Sequence, residues 1–142
     1  VGKMTDINAE LLTMLCQSEV IPVIAPIALT RTGGKLNVNA DSVAGRIAAA
    51  VGAEKLVVLS DTHGIRNNRD DPNSCISTLT ENEIEAMIQK GIITSGMMPK
   101  VEACLTAIKG GTKKAHIIDG RFEHSLLLEI YTDKGIGTQI LK

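Results

Sequence analysis

The sequence has almost no aromatic residues: its 142 residues include no Trp, one Phe and one Tyr. Its 15 Lys and Arg residues are balanced by 16 Asp and Glu residues, so the formal net charge is -1. A site for single-stranded nucleic acid needs rings on which bases stack and cations that contact the phosphate backbone. We therefore expect no nucleic acid among the partners, and no electrostatic attraction to an acidic membrane surface.

Long apolar runs and paired cysteines are also lacking. The apolar segment 20–29 is shorter than the roughly 18 to 20 residues that cross a bilayer, and two prolines interrupt it. Cys16, Cys75 and Cys104 are odd in number and far apart, which indicates reduced thiols rather than disulfides or a zinc site. The first residues do not have the pattern of a signal peptide. We expect a soluble cytoplasmic protein with no membrane partner.

What the sequence does contain is 44% hydrophobic residues in a length typical of one domain. Helical periodicity and capping residues predict helices over 9–18, 40–51, 80–90, 99–108 and 124–131. Asp6 or Asn8 can cap the first of these helices, and Thr80 and Glu83 fit a capping box at the start of the third. Short apolar runs predict buried strands over 20–28, 55–60 and 115–118, and an edge strand over 137–141. Strands and helices alternate, so the predicted fold class is α/β, a three-layer α/β/α arrangement with a mostly parallel sheet and helices on both faces.

In such folds, ligands bind beyond the carboxyl ends of the strands. Three polar segments follow predicted strands or enter predicted helices, at 37–41, 61–64 and 119–121. Asn37 and Asp41 are four residues apart and could serve one site, although Asn and Asp are also ordinary helix N-cap residues.

The segment 94–100 also indicates a ligand site. Gly96 allows a tight turn just before a helix whose first N–H groups are unpaired and attract anions. Lys100 lies in the first turn of that helix, where a cation opposes the helix dipole unless a phosphate is near. A surface lysine on a capped helix is the alternative interpretation.

No established catalytic motif accompanies these segments. His63, His116 and His124 share no metal-ligand spacing, so we expect them to be structural or to face solvent, and we expect no metal site made by the protein. The sequence also contains no Walker-type phosphate loop and no Gly-x-Ser-x-Gly elbow.

Blocks of sequence nevertheless follow one another in a specific order. They occupy residues 21–26 (IPVIAP), 37–41 (NVNAD), 53–56 (AEKL), 60–65 (SDTHGI), 96–101 (GMMPKV), 116–121 (HIIDGR) and a tail from 124 to 138. In this order they resemble the carboxyl-terminal, ATP-binding part of the N-acetylglutamate kinases, a branch of the amino acid kinase family. The resemblance implies that residues 1–142 form one nucleotide-binding domain and that an amino-terminal substrate and dimerisation half is absent.

The resemblance also implies a reaction. ATP, with Mg²⁺ held mainly by the nucleotide, would phosphorylate the side-chain carboxylate of N-acetyl-L-glutamate to an acyl phosphate in arginine biosynthesis. A carboxylate is already ionised at pH 7 and needs no general base, so positioning and charge neutralisation suffice. By similarity, Lys100 would contact the phosphoryl oxygens, Asp41 would hold catalytic lysines in place and Asn37 would bind acetylglutamate. The nucleotide would be bound by Asp61, Thr62, His63, Gly64, Ile65, Arg66, Ile92, Ile93, Thr94, Ser95, Gly96, Met97, Met98, Pro99 and Lys100.

The tail resembles the part of arginine-inhibited relatives that receives the effector, with Glu129 and Gly135 as its candidate residues. A helix-end charge and an ordinary turn are the alternative. The resemblance further implies a homo-oligomer in the intact enzyme, a PII-type signalling protein as a candidate partner, and a plastid location if the source is a plant.

The sequence departs from the family pattern at Thr62, His63 and Ser95, which leaves the details of nucleotide contact open. The family's Lys-x-Gly-Gly segment and substrate-binding arginine are missing, so we expect the chain to be inactive alone. Two other functions stay open. One is another amino acid kinase, acting on carbamate, aspartate, glutamate or a nucleoside monophosphate, and the other is a non-catalytic nucleotide-binding or regulatory module.

Overall fold

The computed structural model describes residues 2–68, 70–132 and 135–142. Its elements, in chain order, are α1 (Ala9–Gln17), β1 (Ile27–Leu29), β2 (Lys35–Asn37), α2 (Ala40–Ala50), β3 (Lys55–Ser60), β4 (Thr78–Thr80), α3 (Glu81–Gln89), α4 (Met98–Lys109), β5 (Lys114–Asp119), α5 (Ser125–Tyr131) and β6 (Thr138–Leu141). Strands β1 and β2 form an antiparallel pair, and the other four strands form one sheet in the order β3-β5-β6-β4.

The four-stranded sheet is mostly parallel, as predicted. Strands β3 and β5 are parallel, as are β4 and β6, whereas β5 and β6 are antiparallel. The prediction that residues 137–141 form an edge strand was wrong, because β4 covers the outer side of β6. The sequence did not predict β4, since a strand of three residues is too short to show an alternating pattern.

Helices cover both faces of this sheet and give three layers. On one face, Leu56, Ala115 and Ile117 pack in a core cluster with residues of α3 and α4. On the opposite face, His116 contacts Glu129 of α5. Buried residues alternate along β3, while nearly every residue of β5 is buried, as expected of a central strand.

Helices α2 and α4 pack closely against each other, and glycine makes this approach possible. A Cβ added to Gly45 of α2 would lie 2.4 Å from the backbone oxygen of Ala103 in α4. Likewise, a Cβ on Gly110 would lie 2.2 Å from the Cβ of Ala49. This packing brings the amino-terminal ends of α2 and α4 together, and these ends carry Asp41 and Lys100.

The predicted buried strand over residues 20–28 was wrong. Only Ile27–Leu29 is a strand, and Ile21 and Val23 are 87% and 95% exposed. Within the described part of the chain, β1 pairs with β2 alone, so the run is not buried between two neighbouring strands. Its two prolines also remove backbone donors that a strand ladder needs.

Predicted helix caps are confirmed in detail. The side chain of Asn8 accepts a hydrogen bond from the backbone N–H of Leu11, at the start of α1. Thr80 and Glu83 form the predicted capping box of α3, with each side chain bonded to the other's backbone N–H. Among the described residues, no helix combines the length and the apolar character that a membrane span requires.

Candidate functional site

A cleft of about 430 Å³ lies beyond the carboxyl end of β3. One wall is the loop that follows β3, and the other wall comes from the residues that lead into α4. The lining residues are Ser60, Asp61, Thr62, Gly64, Ile65, Arg66, Ile92, Ile93, Thr94, Gly96, Met97 and Lys100. Its volume lies within the range of small-molecule and cofactor sites.

The structure therefore brings together most of the residues predicted to bind nucleotide. Four of them lie outside the lining: His63, Ser95, Met98 and Pro99. His63 is directed at Asp119, and Met98 packs against the hydrophobic core. Ser95 is exposed, and Pro99 is the second residue of α4. Ser60, which the sequence analysis did not include, lines the cleft because β3 ends there.

Lys100 forms an ion pair with Asp41 at one end of the cleft. The Nζ atom of Lys100 lies 3.2 Å from Oδ2 of Asp41, and both side chains are about one-fifth exposed. Asp41 is held in the first turn of α2, where the side chain of Asn39 caps the helix by accepting from the N–H of Ser42 at 2.9 Å. The ammonium of Lys100 is thus paired with Asp41, and Lys100 also lines the cleft.

The start of α4 has room for a ligand. No side chain caps this helix, and the N–H groups of Met97 and Met98 bond back to the carbonyl of Thr94. A Cβ added to Gly96 would meet nothing within 4 Å, and the backbone of Gly96 does not have a positive φ. The turn predicted at Gly96 is therefore present, and the missing side chain leaves open space beside the helix end.

The loop after β3 is fixed at both ends by backbone contacts. The N–H of Gly120 donates to the carbonyl of Ser60 at 2.8 Å. At the other end, the N–H of Ile65 donates to Oγ1 of Thr138 at 2.8 Å. Gly64 has a φ of +116°, and a Cβ there would lie 2.6 Å from Oγ1 of Thr138. Only glycine fits this position, so the loop has little freedom where it lines the cleft.

Asp119, at the end of β5, is the centre of a network that sequence analysis missed. It is 2% exposed, and it accepts hydrogen bonds from Nε and Nη2 of Arg121 at 2.9 and 2.7 Å. Nδ1 of His63 lies 3.3 Å from its Oδ2. These contacts, Arg121 foremost, lower the pKa of Asp119 to about 2. The sequence placed residues 119–121 at the ligand edge of the sheet, but it could not show which side chain His63 meets.

Asn37 does not join the cleft. It is exposed at the end of β2, and its carbonyl accepts from the N–H of Gly2 at 2.8 Å. Its side chain is absent from the cleft lining, whereas Lys100 is part of it. The structure therefore separates Asn37 from the cleft, although only four residues separate it from Asp41 in sequence.

The two residues predicted for an effector site do lie together. Glu129 of α5 is 3% exposed, and its Oε2 accepts from the N–H of Ile136 at 3.0 Å. A Cβ on Gly135 would lie 2.8 Å from the same oxygen. Oε1 lies 2.5 Å from Nδ1 of His116 and 3.4 Å from Nζ of Lys55. A second cavity of about 270 Å³ borders this cluster.

His116 is structural within this cluster, as predicted for the histidines. Burial lowers its pKa, although the negative charge of Glu129 acts in the opposite direction. Nδ1 of the ring faces the carboxylate of Glu129, and Nε2 is buried without a hydrogen-bond partner among the described residues. The alternation of side chains along β5 explains its position, because His116 faces α5 while its neighbours face α4.

The carboxylates of the cleft are too few for a metal site built by the protein. Asp61 is the one carboxylate in the lining, and the described residues contain no group of three or more His, Cys, Asp or Glu side chains that could hold a metal ion. With Lys100, Arg66, one carboxylate and a helix start that no side chain caps, the cleft has the charge pattern to hold a phosphorylated ligand that brings its own cation.

The chain is similar to known proteins of one family. The model of the amino acid kinase family matches residues 1–119. The chain is 49% identical over 142 residues to an acetylglutamate kinase of Pelotomaculum thermopropionicum, and 50% identical over 142 residues to one of Symbiobacterium thermophilum. Both matches cover the whole chain and 48% of the relative, so the chain spans about half the length of these curated relatives.

Solved structures show the same fold. An N-acetylglutamate synthase from Neisseria gonorrhoeae, complexed with coenzyme A and L-arginine, has a TM-score of 0.90 and 26% identity. That match covers 100% of this chain and 32% of the synthase chain. A carbamate kinase from Giardia lamblia bound to AMP-PNP has a TM-score of 0.71 and 19% identity, with 96% of this chain and 50% of that chain covered.

Proposed function

Because the chain belongs to the amino acid kinase family, we propose that it is the nucleotide-binding part of an N-acetylglutamate kinase. The intact enzyme would transfer the γ-phosphoryl group of ATP to the side-chain carboxylate of N-acetyl-L-glutamate. Two observations support this proposal: the identity of about 50% to acetylglutamate kinases over the whole chain, and the ion pair of Lys100 and Asp41 at the end of the cleft. The ion pair is the observation that carries the mechanism.

The residues of the cleft would act by position and charge. Lys100 would neutralise charge on the transferring phosphoryl group, since its ammonium faces the cleft from the first turn of α4. Asp41 would hold that ammonium in place through the 3.2 Å contact. The acceptor carboxylate is ionised at neutral pH, so no side chain has to remove a proton from it.

Magnesium would be bound mainly by the phosphates of ATP, where it would offset their negative charge. Asp61, with Thr62 beside it, is the residue of this chain that fits a contact to the cation or to its water shell. No other carboxylate of the described residues lines the cleft.

The remainder of the protein would bind the acetylglutamate. Asn37 lies outside the cleft, at the end of β2 in the β1 and β2 pair, and it is proposed to contact acetylglutamate there. The apolar residues between 20 and 29, among them Ile21 and Val23, are exposed in this chain. An amino-terminal half that packs on them would bury this surface and complete the acceptor site.

The experiment compares the 142-residue chain with the intact protein in a coupled ADP-release assay. We expect the intact protein to consume ATP in the presence of acetylglutamate and the isolated chain to be inactive. Turnover by the chain alone would contradict the proposal that activity needs the remainder of the protein. An intact protein that prefers carbamate, aspartate, glutamate or a nucleoside monophosphate would support another member of the family.

Calorimetry separates the kinase from a non-catalytic module. A nucleotide-binding or regulatory module would bind ADP and ignore acetylglutamate, whereas the kinase would bind both in its intact form. Binding of ADP without any turnover or acetylglutamate binding would therefore favour the module.

A specific observation supports arginine as an effector of the same protein. Glu129 is buried beside a cavity and lies next to Gly135, as the resemblance implied. A guanidinium pairs well with a carboxylate. The synthase that has a TM-score of 0.90 against this chain was solved with L-arginine. Arginine titration of the intact enzyme tests this: a fall in activity that Glu129→Gln weakens supports the site, and a flat response contradicts it.

Assembly and location are proposals of the same kind. A homo-oligomer is supported by exposed apolar residues on α5, which include Leu127, Ile130 and Tyr131. A PII-type protein is a further candidate partner for the intact enzyme. A cytoplasmic location, or a plastid one in a plant, would suit a biosynthetic kinase.

A further inference from the structure

We propose that Asp119 is a positioning residue for the nucleotide: through His63 it fixes the cleft loop, residues 61–64, in the conformation that lines the cleft. The inference rests on the proposed function, because it assumes that a nucleotide occupies this cleft. It goes beyond the resemblance, which placed His63 among the nucleotide contacts and gave Asp119 no role.

The cleft loop has a weak point in its middle. Its two ends are fixed by backbone contacts, from Gly120 to Ser60 and from Ile65 to Thr138. Between these points, Asp61 and Thr62 line the cleft, and no further backbone hydrogen bond between them and the sheet is recorded among the described residues. Side-chain contacts therefore fix the position of these two residues, and those made by Ser60 are long: its Oγ lies 3.4 Å from Oδ1 of Asp61 and 3.3 Å from Oγ1 of Thr62.

His63 supplies a further contact and points away from the cleft to do so. Its Nδ1 lies 3.3 Å from Oδ2 of Asp119. Its ring also contacts the ring of Phe122, with centroids 5.1 Å apart and a 51° tilt. The carbonyl of His63 accepts from Sγ of Cys75 at 3.2 Å. Because the His63 ring is held on two sides, the backbone of His63 and of the adjacent Thr62 has a defined position.

Arg121 holds the carboxylate of Asp119 in the position from which it contacts His63. The guanidinium binds both carboxylate oxygens, and the backbone N–H of Arg121 donates to Oδ1 at 3.0 Å. A carboxylate that is 2% exposed would be costly to bury without such partners. Arg121 therefore keeps Asp119 ionised and oriented, with its Oδ2 3.3 Å from Nδ1 of His63.

The charges next to the cleft fit the same interpretation. The pKa of the Arg121 guanidinium is raised mainly by its hydrogen bond to Asp119, and the negative charge of Asp61 adds to this in the same direction. The end of β5 thus contacts the cleft loop through a side chain at His63 and through an electrostatic attraction at Asp61. Both interactions place the loop over the carboxyl ends of β3 and β5, which are paired in register from Lys55 and Lys114 to Ser60 and Asp119.

The test uses the intact enzyme and the variants His63→Ala, His63→Asn and Asp119→Asn. The amide nitrogen of Asn sits as many bonds from the backbone as Nδ1 of His, so His63→Asn can still donate to Asp119. The matched control is Lys113→Ala, which removes an exposed ion pair with Glu54 just before β5, at the opposite end of that strand.

Four quantities are measured for each variant: the Kd for ADP, the KM for ATP, the KM for acetylglutamate and the melting temperature. We expect His63→Ala and Asp119→Asn to raise the Kd for ADP and the KM for ATP about tenfold, the size of effect expected when one polar contact to a buried carboxylate is lost. His63→Asn should restore most of the affinity. The KM for acetylglutamate should stay within about twofold, because a positioning role concerns the nucleotide alone.

The outcomes separate this inference from the proposed function. If the wild-type enzyme binds ADP but His63→Ala binds it equally well, the inference is wrong and the proposed function stands. If His63→Ala alters both KM values and the melting temperature together, and His63→Asn does not rescue it, His63 is merely structural and the inference is again wrong. A wild-type enzyme that binds no ADP would overturn both.

Discussion

Replacing Lys100 by Ala in the intact enzyme tests the mechanism most directly. The ammonium of Lys100 lies at the end of the cleft, 3.2 Å from Asp41. A phosphoryl oxygen at an ion-pair distance of about 3 Å would attract this ammonium by roughly 5 kcal/mol at an effective dielectric constant of about 20. Desolvation of both groups offsets part of that attraction. We therefore expect a loss of about 3 to 4 kcal/mol, or roughly 10² to 10³ in kcat, which is the range found when one electrostatic stabiliser is removed.

Stability should respond far less than activity. After the substitution, Asp41 is still about one-fifth exposed and can be solvated, so it is not left as a buried unpaired charge. The matched control is Lys109→Ala on the same helix. Lys109 forms an exposed pair with Glu81 at 2.7 Å, and its loss should change neither kcat nor the KM for ATP.

The assay is steady-state ATP consumption with acetylglutamate, with thermal unfolding followed in parallel. A variant with unchanged kcat at saturating ATP would remove Lys100 from the mechanism. A loss of activity that merely follows a loss of folded protein would also refute the reasoning, because the argument assigns the effect to charge at the phosphoryl group.

Two further predictions concern stability. Gly45→Ala should destabilise the protein by about 1 to 3 kcal/mol or more, because the new Cβ would lie 2.4 Å from the backbone of Ala103. Gly96→Ala, where the Cβ would meet nothing within 4 Å, is the control, and equal melting temperatures for the two variants would contradict the prediction. The second concerns His116, whose pKa is lowered in the fold by burial. The contribution of His116 to the free energy of unfolding should be complete above its unfolded pKa of about 6.5 and should be lost as the pH drops below that value. Denaturant titrations from pH 8 to pH 5 should show this slope, and His116→Gln should flatten it; an equal slope in both proteins would disprove the assignment.

The interior of the fold was predictable because its signals are local. The capping box at Thr80 and Glu83, the cap at Asn8 and the apolar strand Lys55–Ser60 all depend on residues that are close in sequence. Where the sheet depends on pairing between distant segments, prediction was weaker. The strand Thr78–Thr80 was missed, and Thr138–Leu141 was placed at an edge that Thr78–Thr80 covers.

In the candidate site, too, local features were predictable and contacts between distant segments were not. The segments on the two walls of the cleft were found from the rule that ligands bind at the carboxyl ends of strands, together with the family resemblance. The position of Asn37 outside the cleft, and the direction of His63 away from it, were not predictable. Both depend on how separate elements pack, and a linear pattern contains no measure of that packing.

The sequence by itself determined which segments form helices and buried strands, and which polar residues follow them, because backbone capping and apolar periodicity act over a few residues. Only the tertiary structure decided which side chains meet. The contact of Lys100 with Asp41 depends on the close packing of two helices at Gly45, and the contact of His63 with Asp119 depends on the register of two parallel strands. Electrostatic interactions fall off with distance, so a charge acquires a role only when packing brings its partner within reach.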